Sequence, residues 1–166
     1  MSNNSLGWNF IYADPAGEDL PTNIPNSVRS LIAPYNVIWQ QPVTTEKTVY
    51  LTFDQGYEYQ NNTARILDTL KEKGIKATFF MTGYYIKTNP DLVLRMANEG
   101  HLVANHSDSH PDMVKLLAEQ GEDAAMAELN RLKKAYQDLT GRDLAPYFRP
   151  PSGIYSERLL DLLTRE

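Results

Sequence analysis

The 166-residue chain contains no cysteine. That excludes disulfides, thiolate metal sites and a cysteine nucleophile, and it leaves the compartment open, because many exported bacterial proteins also do without cysteine. Long apolar runs are missing too. Nothing approaches the roughly 20 residues that span a bilayer, so no transmembrane segment is expected. The N-terminal stretch MSNNSLGWNF lacks the basic start and apolar centre of a signal peptide. If the protein is exported, its signal has been removed. Positive charge is scarce, with 16 Lys and Arg against 21 Asp and Glu and a formal charge of -5. No basic run is available to track a phosphate backbone or an anionic membrane, so nucleic acid is not an expected partner. There is no solenoid-type repeat and no low-complexity tract, and the length suits one domain with a substantial core.

What is present divides at residue 46. Residues 1 to 46 hold five of the ten prolines, Pro15, Pro21, Pro25, Pro34 and Pro42, with little periodicity. They read as an extended arm packed on the domain through Trp8, Tyr35 and Trp39. From Lys47 onward, short apolar runs alternate with helical segments: KTVYLTF, NNTARILDTLKEKG, KATFFMTG, NPDLVLRMANEG, HLVANHS. This alternation predicts βαβ units and a parallel sheet or barrel spanning residues 47 to 166. Gly74, Gly100 and Gly141 stand where helices should stop, and Asn89-Pro90 and Ser156 where helices should start. A further helix is expected over Gly121 to Thr140, with Ala125, Leu129, Leu132 and Tyr136 on one face. APYFRPPSG should give a short strand and a proline-rich loop.

Three local patterns carry chemistry. In TFDQG, Asp54 and Gln55 precede Gly56 at a strand end, where a glycine lets backbone turn sharply or approach a ligand. Such an aspartate serves equally well as a turn residue. In HSDSH, His106 and His110 are four apart, and Pro111 disfavours helix at His110, so a loop setting is expected. Two neutral imidazoles plus an oxygen donor suit Zn²⁺ and its first-row neighbours; His101 reads instead as a strand-start residue. In FRPPSG, Arg149 is a charged fork held beside two residues of fixed φ, suited to a carboxylate.

TFDQG, HSDSH and RPPSG, in this order, resemble the first three motifs of the polysaccharide deacetylases, carbohydrate esterase family four: T-F-D-D-G, H-[ST]-x-x-H and R-x-P-x-G. ATFFMTG, LVLRMANEGH, NHSDSHPD and the N-terminal LGWNF are similar to the delta-lactam-biosynthetic de-N-acetylases, which remove acetyl from N-acetylmuramic acid in bacterial spore cortex. The resemblance implies a distorted (β/α) barrel and a divalent metal ion, Zn²⁺, Mn²⁺ or Mg²⁺, held by His106, His110 and Gln55. It implies that Asp54 is the general base, that Arg149 pairs with and orients it, and that the backbone N–H of Ser152 holds the oxyanion. The implied substrate is the peptidoglycan glycan strand, and the implied location is the cell wall or spore cortex.

Two features depart from the pattern. Gln55 replaces the second aspartate of the first motif, where the similar subgroup usually has asparagine, so it is either an uncharged ligand or a residue behind the ligands. The family also continues to an aspartate-tryptophan motif and a leucine-x-histidine motif whose histidine is the general acid, whereas no histidine follows His110. A chain cut short at its C-terminus is therefore expected. The competing readings are a glycan-binding domain of the same fold with impaired catalysis, and a deacetylase of N-acetylglucosamine in peptidoglycan or chitin.

Overall fold

The computed structural model describes residues 1–7, 24–39 and 48–165. The arm contributes a short helix, α1 (Asn26–Ile32). The chain then enters β1 (Thr52–Gln55) and passes through α2 (Asn62–Glu72) to β2 (Thr78–Met81). Two helices, α3 (Gly83–Thr88) and α4 (Pro90–Asn98), lead on to β3 (Leu102–Asn105). The three strands are parallel, in the order β1-β2-β3. After β3 come α5 (Met113–Gln120), α6 (Glu122–Thr140), a single 3-10 turn at Pro151–Gly153 and α7 (Glu157–Arg165). This is the helix-crossed parallel sheet that the alternating pattern predicts.

Register decides what each face of the sheet carries. Asp54 pairs with Phe80 and Phe80 with Ala104, while Gln55 pairs with Met81 and Met81 with Asn105. Because side chains alternate, Phe53, Phe79, Met81 and Val103 enter the helix-covered core with Leu67, Val93, Met96 and Leu132. Thr52, Asp54, Phe80 and Ala104 occupy the opposite face. Phe53 stacks on Phe79 with ring centroids 5.0 Å apart. Phe79, Leu67 and Met96 are fully buried, each burial worth about 1.5–3 kcal/mol. A second cluster joins α5, α6 and α7 through Met113, Leu117, Ala125, Leu159 and Leu162.

The structure corrects several local expectations. The first strand starts later than the apolar run suggests: Val49 and Tyr50 are exposed, and pairing begins at Thr52. The arm is not extended throughout, because Asn26–Ile32 is helical. Tyr35 and Trp39 do pack, around Tyr155 and Leu160, whereas Trp8 lies outside the described residues. Leu6 pairs antiparallel with Tyr155, so the first residues strap the loop that precedes α7. The stretch before Arg149 forms one parallel bridge, Asn105 to Phe148, rather than a strand. Asn89 makes no side-chain cap, although Pro90 occupies the first turn of α4. Gly74, Gly100 and Gly141 all adopt positive φ just past helix ends, and Ser156 Oγ accepts the Leu159 N–H at 3.2 Å, as expected. Helices α3 and α5 had no counterpart in the sequence reading.

Candidate active site

Hydrogen bonds and a ring contact bring Asp54, Arg149, His106 and His110 together, whereas Gln55 turns to the opposite face of β1 and Ser152 lies in the turn after Arg149. Asp54 points to the face that carries Phe80, and Arg149 reaches it from the segment running beside β3. That segment is fixed to the strand by the Asn105 N–H donating to the Tyr147 carbonyl and the Arg149 N–H donating to the Asn105 carbonyl, both at 3.0 Å. Arg149 Nη1 then donates to Asp54 Oδ1 at 2.7 Å and Nη2 to Thr52 Oγ1 at 3.0 Å. Its guanidinium lies 4.0 Å above the Phe80 ring centroid. Thr52, Asp54 and Phe80 share one face because of strand alternation and register, so a single planar cation engages all three. The Asp54 side chain keeps 47% of its surface open, accessible to a reactant.

His106 follows β3 directly and donates its N–H to the Met81 carbonyl at 3.1 Å. Its Nδ1 lies 2.7 Å from the Arg149 carbonyl oxygen. A carbonyl only accepts, so Nδ1 carries the proton and Nε2 presents its lone pair. Burial, the strongest influence, holds the His106 pKa below its ordinary value, against the pull of the Arg149 carbonyl and of Asp54. The imidazole is therefore neutral near pH 7, the form that binds metal. The His110 ring stands edge-on to it at 4.9 Å. Arg149 thus fixes both halves of the site, Asp54 through its side chain and His106 through its backbone.

The intervening loop is tightly bent. Ser107 has φ 66° and His110 φ 59°, left-handed conformations uncommon outside glycine. The His110 N–H donates to Ser107 Oγ at 3.0 Å, and the Ser107 N–H donates to Asn105 Oδ1 at 2.8 Å. His101 sits away from this loop, buried before β3, where its Nδ1 accepts the Ala77 N–H at 3.2 Å. Its reading as a strand-start residue holds.

Gln55 and Ser152 are placed less directly. The Gln55 carboxamide is buried, and its oxygen accepts from the Thr63 hydroxyl at 3.5 Å. Ser152, with φ 56°, lies in the turn after Arg149. Pro150 and Pro151 have no N–H, and those of Gly153 and Ile154 are spent on the Pro150 and Pro151 carbonyls. Among the described residues no three His, Cys, Asp or Glu side chains converge as a metal cage.

Residues 41–165 match the sequence profile of the polysaccharide deacetylases. The chain belongs to the polysaccharide deacetylase family. Among its relatives is PdaA of Bacillus subtilis, a peptidoglycan-N-acetylmuramic acid deacetylase, 37% identical over 96% of this chain and 57% of that protein. A solved structure of that relative, a family 4 carbohydrate esterase, superposes with a TM-score of 0.87 at 34% identity, covering 99% of this chain and 67% of the other. A family 4 carbohydrate esterase from Bacillus anthracis gives a TM-score of 0.79 at 38% identity over 97% of this chain and 69% of that one. A peptidoglycan-N-acetylglucosamine deacetylase of Bacillus cereus is 39% identical over 71% of this chain and 41% of that protein. This polysaccharide deacetylase chain thus spans a little under three fifths of the length of PdaA. The mixed α/β architecture agrees with the distorted barrel of these structures.

One network near the site, built on Glu58, has no counterpart in the sequence reading. Glu58 Oε1 accepts the Thr63 N–H at 3.1 Å and Oε2 accepts the Tyr85 hydroxyl at 3.0 Å. It ties the β1 loop to the starts of α2 and α3, and a carboxylate four residues after Asp54 was the signal available in sequence. Burial pushes the Glu58 pKa up, but hydrogen bonds from Thr63, Tyr85 and Asn62 outweigh it and leave the carboxyl below its ordinary value. A depressed pKa adds stability that is complete above the unfolded value and is lost as pH falls through the folded one. Glu58→Gln is therefore expected to be less stable than wild type at neutral pH, with the gap closing below about pH 4.5. Thermal melts at stepped pH would show this; a gap independent of pH would contradict it. Beside His110 opens a cleft of about 320 Å³, walled by Gly56, Tyr57, Thr82, Tyr84 and Asp108.

Proposed function

We propose that this chain carries the site of a metal-dependent hydrolase that removes acetyl groups from N-acetylated sugars of peptidoglycan, N-acetylmuramic acid foremost. The observation that carries this reading is the Asp54–Arg149–His106 unit: a carboxylate aimed by a guanidinium, whose backbone carbonyl fixes an imidazole as a lone-pair donor. The similarity to PdaA over nearly the whole chain favours muramic acid.

The residues present fit a divalent ion. His106 has its Nδ1 proton on a backbone carbonyl, the usual outer contact of a metal-bound histidine, and His110 adjoins it. These two would hold the ion, with Gln55 as an uncharged oxygen donor or as support from behind; Zn²⁺, Mn²⁺ and Mg²⁺ are the candidates. When bound, the ion would polarise the acetamide carbonyl and make water more acidic. Asp54, open to solvent and oriented by Arg149, would take the proton of the attacking water. Its oxygen would bond to the acetyl carbon, the C–N bond would break, and the proton would leave with the amine. The Ser152 N–H, the donor left over in the proline turn, would meet the oxyanion. The cleft beside His110, edged by the exposed Tyr57 and Tyr84, gives sugar rings an apolar surface. Partners and location follow the substrate: glycan strands, outside the cell membrane or in the spore cortex. No helix among the described residues is long and apolar enough to cross a membrane.

A second reading is favoured by Gln55, whose neutral carboxamide faces Thr63. On that reading the fold binds glycan without turnover. Gln55→Asp distinguishes the roles of this position: if Gln55 is a ligand, the added negative charge is expected to lower the dissociation constant for Zn²⁺, measured by competition with a chelator. An unchanged constant would place Gln55 behind the ligands. Substrate choice is tested by treating glycan strands, with and without stem peptides, and locating the new free amine by mass spectrometry. The amine is expected on muramic acid; finding it on glucosamine would overturn that preference.

A further inference from the structure

We infer that Glu128, on the buried face of α6, is a positioning residue for the His106–His110 loop. This rests on the metal reading above and adds what sets the loop's geometry. Glu128 is 5% exposed and shares its helix face with Ala125, Leu132 and Tyr136, all buried. A carboxylate in such surroundings is costly unless donors meet it. The donors here come from the loop. One Glu128 oxygen accepts the Ser109 N–H at 2.8 Å; the other accepts the Ser109 hydroxyl at 3.1 Å and pairs with Arg131. Arg131 Nε in turn donates to Asp108 Oδ2 at 2.9 Å.

The next residue of the helix contributes as well. The Leu129 carbonyl accepts from Asn105 Nδ2 at 3.0 Å, and the oxygen of that same carboxamide holds the Ser107 N–H. Ser107, Asp108 and Ser109 are thus each tied to residues 128–131, directly or through one side chain. From the other side the Gly83 N–H donates to the Asp108 carbonyl at 3.0 Å, and a Cβ at Gly83 would collide with the Asp108 carboxylate. The loop needs such restraint, because left-handed φ at Ser107 and His110 is disfavoured without bonds that impose it. Helix α6 is anchored in the core by Leu132 and Tyr136, so it offers a rigid reference from which Glu128 fixes His110 relative to His106.

The test uses Co²⁺ as the probe, with the 166-residue chain, and reads affinity, the visible absorption of the bound ion, and thermal stability. Glu128→Gln keeps the volume and removes the charge. It is expected to bind Co²⁺ about tenfold more weakly or worse, with a shifted absorption band. Ser109→Ala, at an exposed position, removes one donor only and is expected to weaken binding less, with near wild-type melting. A folded Glu128→Gln with wild-type affinity and spectrum overturns the inference however far its melting temperature falls. If Glu128→Gln does not fold, unchanged Co²⁺ affinity in Ser109→Ala overturns it. A wild-type chain that binds no Co²⁺ overturns both this inference and the metal reading; wild-type binding with unaffected variants overturns this inference alone.

Discussion

Asp54→Asn is expected to lower acetate release by about 10²–10⁴-fold, the usual contribution of a positioned general base. Asparagine retains the oxygen that accepts from Arg149 Nη1 at 2.7 Å, so the backbone, the guanidinium and the histidine pair should stay where they are. What disappears is the capacity to take a proton. Glycan and Zn²⁺ dissociation constants are accordingly expected to remain near wild type while turnover collapses. Steady-state acetate release, run beside binding titrations on the same preparations, checks both parts. Turnover close to wild type would remove Asp54 from the chemistry. Equal loss of binding and turnover would instead make it a structural residue of β1.

Arg149→Lys is expected to slow acetate release by on the order of 10²-fold, the effect of misplacing a reacting group without removing it. Charge is conserved by this substitution, and geometry is not. The guanidinium spreads two nitrogens between Asp54 and Thr52 while its plane lies on Phe80. A lysine ammonium has neither the fork nor the flat face. The Arg149 backbone carbonyl survives the change, so the His106 tautomer and metal affinity are expected to hold. A kcat loss with Zn²⁺ affinity unchanged supports this division of labour. Full activity would show that any nearby cation suffices, and lost metal binding would show that the two roles of Arg149 are not separable.

Much of this arrangement was legible in the chain because it depends on local signals. Strand-helix alternation, glycine stops at Gly74, Gly100 and Gly141, and the Ser156 cap are properties of a few adjacent residues, and the structure realises each of them. Asp54, His106, His110 and Arg149 stood out through their motifs, and the fold draws them together from the ends of β1 and β3 and from the segment bridged to β3. What was not legible depends on partners far along the chain. Val49 and Tyr50 look like strand interior by composition, yet pairing begins only at Thr52, opposite Thr78. Helix α3 is six residues long, too short for periodicity to register, and is fixed by Thr82 Oγ1 accepting the Tyr85 N–H at 3.2 Å. Helix α5 is capped by Asp112, whose carboxylate accepts the N–H groups of Val114 and Lys115. Glu128 reads as one polar residue among many in α6; its role appears only once the loop from β3 lies against it.

The most direct measurement is acetate release from muramic-acid-containing glycan strands by the 166-residue chain, stripped of metal and then refilled with Zn²⁺, Mn²⁺ or Mg²⁺. The account predicts no release from the stripped protein and release on refilling with at least one ion. Release that is indifferent to stripping, or a refilled protein that binds metal and glycan yet frees no acetate, would contradict it.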